Sequence, residues 1–186
     1  MSEVSEDLGW GPVVKRYLLS GLTLGLYARW TQRMTDGLTT IRLLFLSVMQ
    51  AGILVGVVLL FIVEVGSPGT FALLPIGLGI VGVAAVVWAR RRPLNAASST
   101  ELARSYNANF FTGFALAEAP LMVSAGLALW QQELWPYLLS LPFFLIAMAL
   151  VAPGRKNLAA DQRELQARGT SISLTEALMS QGPTSR

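Results

Sequence analysis

The sequence predicts an all-α protein that crosses a lipid bilayer four times. Four long apolar runs dominate its 186 residues, and the charged fraction is only 13%. About 20 apolar residues in a helix, at ~1.5 Å of rise per residue, span the ~30 Å hydrocarbon core of a membrane. We therefore expect one membrane domain, residues 43–152. Its predicted spans are 43–63, 70–89, 108–130 and 135–152.

The basic residues predict the orientation of these spans. All fourteen Lys and Arg lie before the first run, between the second and third, or after the fourth. The other two connections, of six and four residues, contain only the acids Glu64 and Glu133. Because basic connections stay in the cytoplasm, we expect both termini and the loop 90–107 to be cytoplasmic. The short outer turns predict two antiparallel hairpins in the plasma (inner) membrane.

The segment before the first span, residues 1–42, predicts an amphipathic helix at 10–34. Apolar residues recur there at every fourth position from Val14 to Met34, with aromatic and basic residues beside them. A helix of this type lies in the plane of the membrane interface. A helix packed on a partner protein is the alternative. The residues expected at the interface are Trp10, Lys15, Arg16, Arg29, Trp30 and Arg33.

Residues 153–186 are expected to form a helical cytoplasmic tail. Pro153-Gly154 ends the fourth run, a charged helical pattern follows at 155–168, and Gly169 suits the end of that helix. Ser173 and Glu176 have the spacing of a capping box, which predicts a second, short helix. The basic residues on this side should attract anionic lipids at the cytoplasmic face.

Stripes of small residues run along the predicted spans. The first run contains a Gly-x-x-x-Gly motif, and the second and third align small residues on one face. Small side chains let helix backbones approach closely where no water drives association. We predict helix packing, and no chemistry, for the following residues: Gly52, Gly56, Gly79, Gly82, Gly113, Ala117 and Ser124.

Glu118 is the charged residue that interrupts the four apolar runs. It lies ten residues into the third run, about 15 Å deep, which is the bilayer midplane. An ionised carboxylate there costs at least ~2.5–3.5 kcal/mol, so we expect a protonated acid. Its role is either to bind an ion or to form an intramembrane hydrogen bond. Gln50, the other strongly polar span residue, is the best candidate for its partner.

One stretch of the sequence resembles a known family. Phe110–Pro120 looks like the carboxylate helix of the ATP synthase proteolipid, subunit c. In that family a glycine-rich helix precedes the carboxylate helix, and a cytoplasmic loop with an Arg-x-Pro signature joins them. Pro75–Gly82 is similar to the glycine-rich helix, and Arg91-Arg92-Pro93 fits the loop. The resemblance covers about residues 70–130 and implies that Glu118 binds a proton in a rotor ring.

The composition narrows the class of function. The chain has no Cys and no His, which excludes thiol chemistry and the commonest general base and metal ligand. We expect no enzyme activity, cofactor or metal, and no nucleic-acid binding, since topology explains the net charge of +3. The prediction is a non-catalytic accessory or assembly subunit of a larger plasma-membrane transport complex. Its partners would be other integral membrane subunits. The complex would transport lipids or other hydrophobic solutes. The alternative is a proteolipid-like, proton-translocating subunit that uses Glu118.

Overall fold

The computed structural model describes residues 9–22 and 36–181, and the regular structure in these ranges is helical. The sequence-predicted all-α fold class is confirmed there. The elements are α1 (Gly11–Leu22), α2 (Gly37–Ile62), α3 (Leu73–Arg90, preceded by a 3-10 turn at Thr70–Ala72), α4 (Ser99–Gln131), α5 (Trp135–Val151), α6 (Arg155–Ala167) and α7 (Leu174–Met179).

Three of these helices, α2, α3 and α4, are long and apolar enough to cross a membrane. The number becomes four when α5 is taken together with α6 as one broken span. With 17 residues, α5 is about 26 Å long, which is at the lower limit for a span. The apolar helices therefore fit a multi-pass membrane protein.

Two helices begin earlier than the sequence pattern predicts. The Asp36 carboxylate accepts a hydrogen bond from the Thr39 backbone N–H at 2.6 Å, and this cap starts α2 before the predicted residue 43. The Ser98 hydroxyl likewise accepts from the Glu101 N–H at 3.2 Å. Ser98-x-x-Glu101 is a capping pattern, and it begins α4 within residues 90–107, the stretch that the sequence predicts to connect the second and third spans.

The ends of the chain follow the predicted pattern where the structure describes them. Pro153-Gly154 separates α5 from α6, and Gly169 has a φ of 81° just after α6 ends. The Ser173 side chain accepts from the Glu176 N–H and caps α7. The predicted helix start at Ser173 is thus present, with the serine half of the capping box formed. α1 lies within the predicted helix 10–34, and residues 23–35 lie outside the described residues.

The described residues form two compact units. The tail unit draws its residues from Met1–Ser47, Pro93–Asn107 and Ala152–Arg186, and the bundle unit comprises Val48–Arg92 and Ala108–Val151. The bundle unit contains most of the apolar helical residues. In it, α5 contacts α2 at Phe144–Gly52, α3 at Phe143–Gly79 and α4 at Val151–Gly113.

The two connections at one end of the bundle unit are joined through their backbones. The Glu64 N–H donates to the Gln132 carbonyl at 3.1 Å, and the Leu134 N–H donates to the Glu64 carbonyl at 2.7 Å. Glu133 in turn accepts from the Trp135 indole N–H. The two short connections that contain Glu64 and Glu133 are therefore joined to each other by backbone hydrogen bonds.

The tail unit is organised around a buried arginine, Arg42. Its side chain is 2% exposed and donates to the Pro153 carbonyl at 3.0 Å and to the Gly9 carbonyl at 3.1 Å. The guanidinium also lies 5.4 Å from the centre of the Trp10 ring, which packs on Phe45. Arg42 therefore joins the start of α2 to segments near both ends of the chain.

Candidate intramembrane site around Glu118

Glu118 lies in α4 beside a proline break. Pro120 has no N–H to donate to the Leu116 carbonyl, so one hydrogen bond is missing in the helical turn that contains the acid. Gly82 of α3 packs against this point. A β-carbon at Gly82 would lie 2.5 Å from Pro120 Cγ and 3.4 Å from the Leu116 carbonyl oxygen. Only a glycine therefore lets the α3 backbone approach α4 at this level.

Glu118 lies at the border between the buried and the exposed faces of α4. The side chain is half-buried. Ala117 and Leu121 on one side of it are buried, whereas Met122 and Phe111 on the other side are exposed. In a bilayer, the exposed face meets lipid or another subunit. The carboxyl group can therefore be reached from outside the bundle unit.

The Glu118 carboxyl group has no hydrogen-bond or ion-pair partner within residues 9–22 and 36–181, and the structure does not join it to Gln50. Gln50 is exposed on α2, whereas Gly52 faces α5. Two residues correspond to about 200° around a helix, so Gln50 lies on the side of α2 opposite to its packed face. The arrangement leaves Glu118 available to a group that this part of the chain does not supply.

The other polar groups of the spans are used inside the bundle unit. Ser124 and Ser140, both buried, are hydrogen-bonded to each other, and the Ser140 hydroxyl donates a hydrogen bond to the Pro75 carbonyl at 3.4 Å. The Tyr137 hydroxyl donates to the Gly52 carbonyl. Sequence reasoning singled out Ser124 for packing but missed Tyr137. The sequence feature that could have pointed to Tyr137 is the Gly-x-x-x-Gly motif, because its accessible backbone carbonyls suit a hydroxyl donor.

The small residues predicted to pack lie at contacts between helices. A β-carbon at Gly79 would lie 2.5 Å from the Phe143 ring, and one at Gly56 would lie 2.7 Å from the Tyr137 ring. Gly52 and Gly113 face side chains of α5 at slightly longer distances, 3.1 and 3.2 Å for the same construction. Ala117 is buried. Bulky side chains of α5 thus fill the notches that glycines leave in the other helices.

The residues predicted at the membrane interface divide into two groups. Trp10 and Arg16 are half-buried and Lys15 is exposed. The Trp10 ring lies 5.6 Å from the Phe45 ring within the tail unit, so its contacts in the structure are with protein. Arg29, Trp30 and Arg33 lie outside the described residues.

A carboxyl group such as that of Glu118 can form hydrogen bonds and exchange a proton. No group of three or more His, Cys, Asp or Glu residues in the described part of the chain could hold a metal ion. Comparison of the chain with protein-family models, with curated proteins and with solved structures gave no match.

Proposed function

We propose that this protein is a non-catalytic accessory subunit that assembles, through Glu118, with another integral membrane subunit of a plasma-membrane transport complex. In this proposal four helices cross the membrane as two hairpins, and both termini are cytoplasmic. The observation that carries it is a carboxyl group at the outer border of a membrane helix, with no partner among the described residues.

An exposed stripe on α4 supports a partner helix as the occupant of this site. Phe111, Glu118, Met122 and Leu129 follow one another at intervals of seven, four and seven residues. This heptad spacing places them on one seam of the helix, and all but the half-buried Glu118 are exposed. A single polar residue within an apolar seam fixes the register of the helix that packs there. The fitting partner is a membrane helix that presents one hydrogen-bonding side chain to Glu118.

The use of buried hydroxyl groups for hydrogen bonds inside the bundle unit supports an accessory role. Ser124, Ser140 and Tyr137 are all committed to bonds between helices, and hydroxyls used in this way cannot line a pore. A conduction path needs polar groups that face water. Transport would therefore belong to the partner, and the embedded character of this chain favours lipids or other hydrophobic solutes as its cargo.

The assembly proposal is tested by purification of the full chain in a gentle detergent, with mass spectrometry of the co-purifying proteins. We expect a stoichiometric integral membrane partner that is lost in Glu118→Leu and in Met122→Trp. Val123→Trp is the matched control, because Val123 is also exposed but lies about 100° away from the seam. A wild-type chain that purifies alone, or equal loss in Met122→Trp and Val123→Trp, overturns the proposal.

Proton translocation through Glu118 is the second candidate, favoured by the contact of Gly82 with Pro120 beside the acid. In that contact α3, which contains the glycine-rich stretch, lies against α4, which carries Glu118. A carbodiimide would then label Glu118 in a pH-dependent manner, and Glu118→Gln would abolish transport. The accessory role predicts instead that Glu118→Gln retains the partner and its transport activity, since an amide still forms hydrogen bonds.

A further inference from the structure

We propose that the end of α3 that carries Trp88, Arg91 and Arg92 binds the phosphate of an anionic phospholipid. This site is distinct from Glu118 and does not depend on the accessory role. It requires only that α3 crosses the membrane. The position of the indole, the fixed backbone below the two arginines and the charges around them support this site.

Trp88 holds one of the two cations at the end of the span. The Arg92 guanidinium carbon lies 4.4 Å from the centre of the Trp88 ring, a distance typical of a cation–π contact. Trp88 is 60% exposed, whereas its neighbour Ala89 is buried. An exposed tryptophan at the end of an apolar helix is typical of the membrane–water interface.

The backbone beneath the arginines is held in place. The Arg91 N–H donates to the Trp88 carbonyl at 3.1 Å, and the Arg92 N–H donates to the Ala89 carbonyl at 3.2 Å. The Asn109 side-chain amide of α4 donates to the Arg92 carbonyl at 3.3 Å. The two guanidinium groups therefore project from a structured helix end.

The three consecutive arginines have different environments. Arg90 is half-buried and donates to the Leu150 carbonyl of α5 at 2.6 Å. Arg91 and Arg92 are exposed, and neither forms an ion pair with an acid that the structure describes. Arg104 and Arg168, which are also exposed, instead pair along their helices with Glu101 and Glu164. Two cations at the interface thus remain available to an anion.

The apolar surface next to this pair favours a lipid over a free phosphate. Leu74, Val81 and Trp88 recur every seven residues along α3, and all three are exposed. They form an apolar strip that leads from the arginines along the span, where an acyl chain can lie. The planar guanidinium groups suit bidentate contact with phosphate oxygens. A lipid satisfies both features at once, whereas inorganic phosphate satisfies only the second.

The test is native mass spectrometry of the full chain released from vesicles that contain equal amounts of phosphatidylglycerol and phosphatidylcholine. We expect preferential retention of phosphatidylglycerol. The double variant Arg91→Gln/Arg92→Gln should lower that preference about 25-fold, since one interfacial basic residue contributes a factor of about five. Lys156→Gln/Arg163→Gln is the matched control: both residues are exposed on α6, and the same charge is removed.

Two further measurements distinguish a specific lipid site from non-specific charge attraction and from a site for inorganic phosphate. Trp88→Leu should lower retention about two- to fivefold by releasing Arg92. Trp130→Leu, which changes another exposed indole in α4, should not. Inorganic phosphate in excess should fail to displace the lipid. Equal loss in the two double variants, no loss in Arg91→Gln/Arg92→Gln, or displacement by inorganic phosphate would each overturn the proposal.

Discussion

Arg42 shows how a single residue acquires a role that its sequence neighbourhood does not indicate. From the sequence it is one of several basic residues that flank the first span. In the structure it is buried and donates to the Pro153 and Gly9 carbonyls, which are far from it along the chain. No local pattern predicts such acceptors. The charge of the flanking segment was predictable, but the burial of this one guanidinium was not.

Replacement of Arg42 should loosen the tail unit. Arg42→Met removes charge-assisted hydrogen bonds to two carbonyls, each worth about 1.5–3 kcal/mol, and leaves those acceptors buried. We expect limited proteolysis in detergent to cut near α6 and α7 at least tenfold faster in this variant than in the wild type.

The control for this experiment is Arg163→Met on α6. Arg163 is exposed and its guanidinium donates only to the Ala159 carbonyl within its own helix turn, so cleavage should stay at the wild-type rate. Unchanged cleavage in Arg42→Met would show that the buried arginine does not hold the tail unit together.

Glu118 is a residue whose position in the sequence is informative but whose surroundings are set by the fold. Its depth in the apolar run is predictable from spacing alone. Whether Gln50 faces Glu118 is not predictable in this way. The two residues belong to different helices, and the sequence does not determine how each helix is rotated about its axis. The exposed face of α2 that carries Gln50 is set by the packing of Gly52 on α5.

At the scale of elements, the small-residue stripes predict that helices pack closely but not which helix fills each notch. The structure assigns this role to α5, whose Phe143, Phe144 and Tyr137 side chains face glycines of α3 and α2. In the sequence α5 is simply the shortest apolar run. Helix ends were less predictable than helix interiors, since Ser98 begins α4 inside a stretch that resembles a loop.

Gly79 provides a direct test of this packing. A β-carbon there would lie 2.5 Å from the Phe143 ring and 2.8 Å from Phe143 Cβ, and an atom so close to the backbone cannot swing away. Gly79→Ala should therefore destabilise the protein by about 1–3 kcal/mol, the usual cost of overpacking. Thermal unfolding in detergent measures this change.

Gly77 is the matched control in the same helix. A β-carbon at Gly77 has no neighbour within 4 Å among the described atoms, so Gly77→Ala should leave the melting temperature unchanged or raise it. The packing of α3 against α5 would be contradicted if both variants melted alike.

At the scale of the whole molecule, membrane character is the property that the sequence predicts most directly. Composition and run length set it, and the helices α2, α3 and α4 have the length and apolarity to cross a bilayer. The segregation of all fourteen basic residues adds an expected orientation. Neither property reveals that the described residues divide into a bundle unit and a tail unit, because that division depends on contacts between distant segments.

The central claim is that the chain crosses the membrane four times with its basic segments in the cytoplasm. Since the chain contains no Cys, single cysteines can be introduced without background at three exposed positions: Ser67→Cys, Ala97→Cys and Ser171→Cys. A membrane-impermeant maleimide applied to intact cells should label Ser67→Cys at once. It should label Ala97→Cys and Ser171→Cys only after the membrane is opened. Labelling of Ala97→Cys in intact cells would contradict the orientation, and labelling of Ser171→Cys there would contradict the fourth crossing.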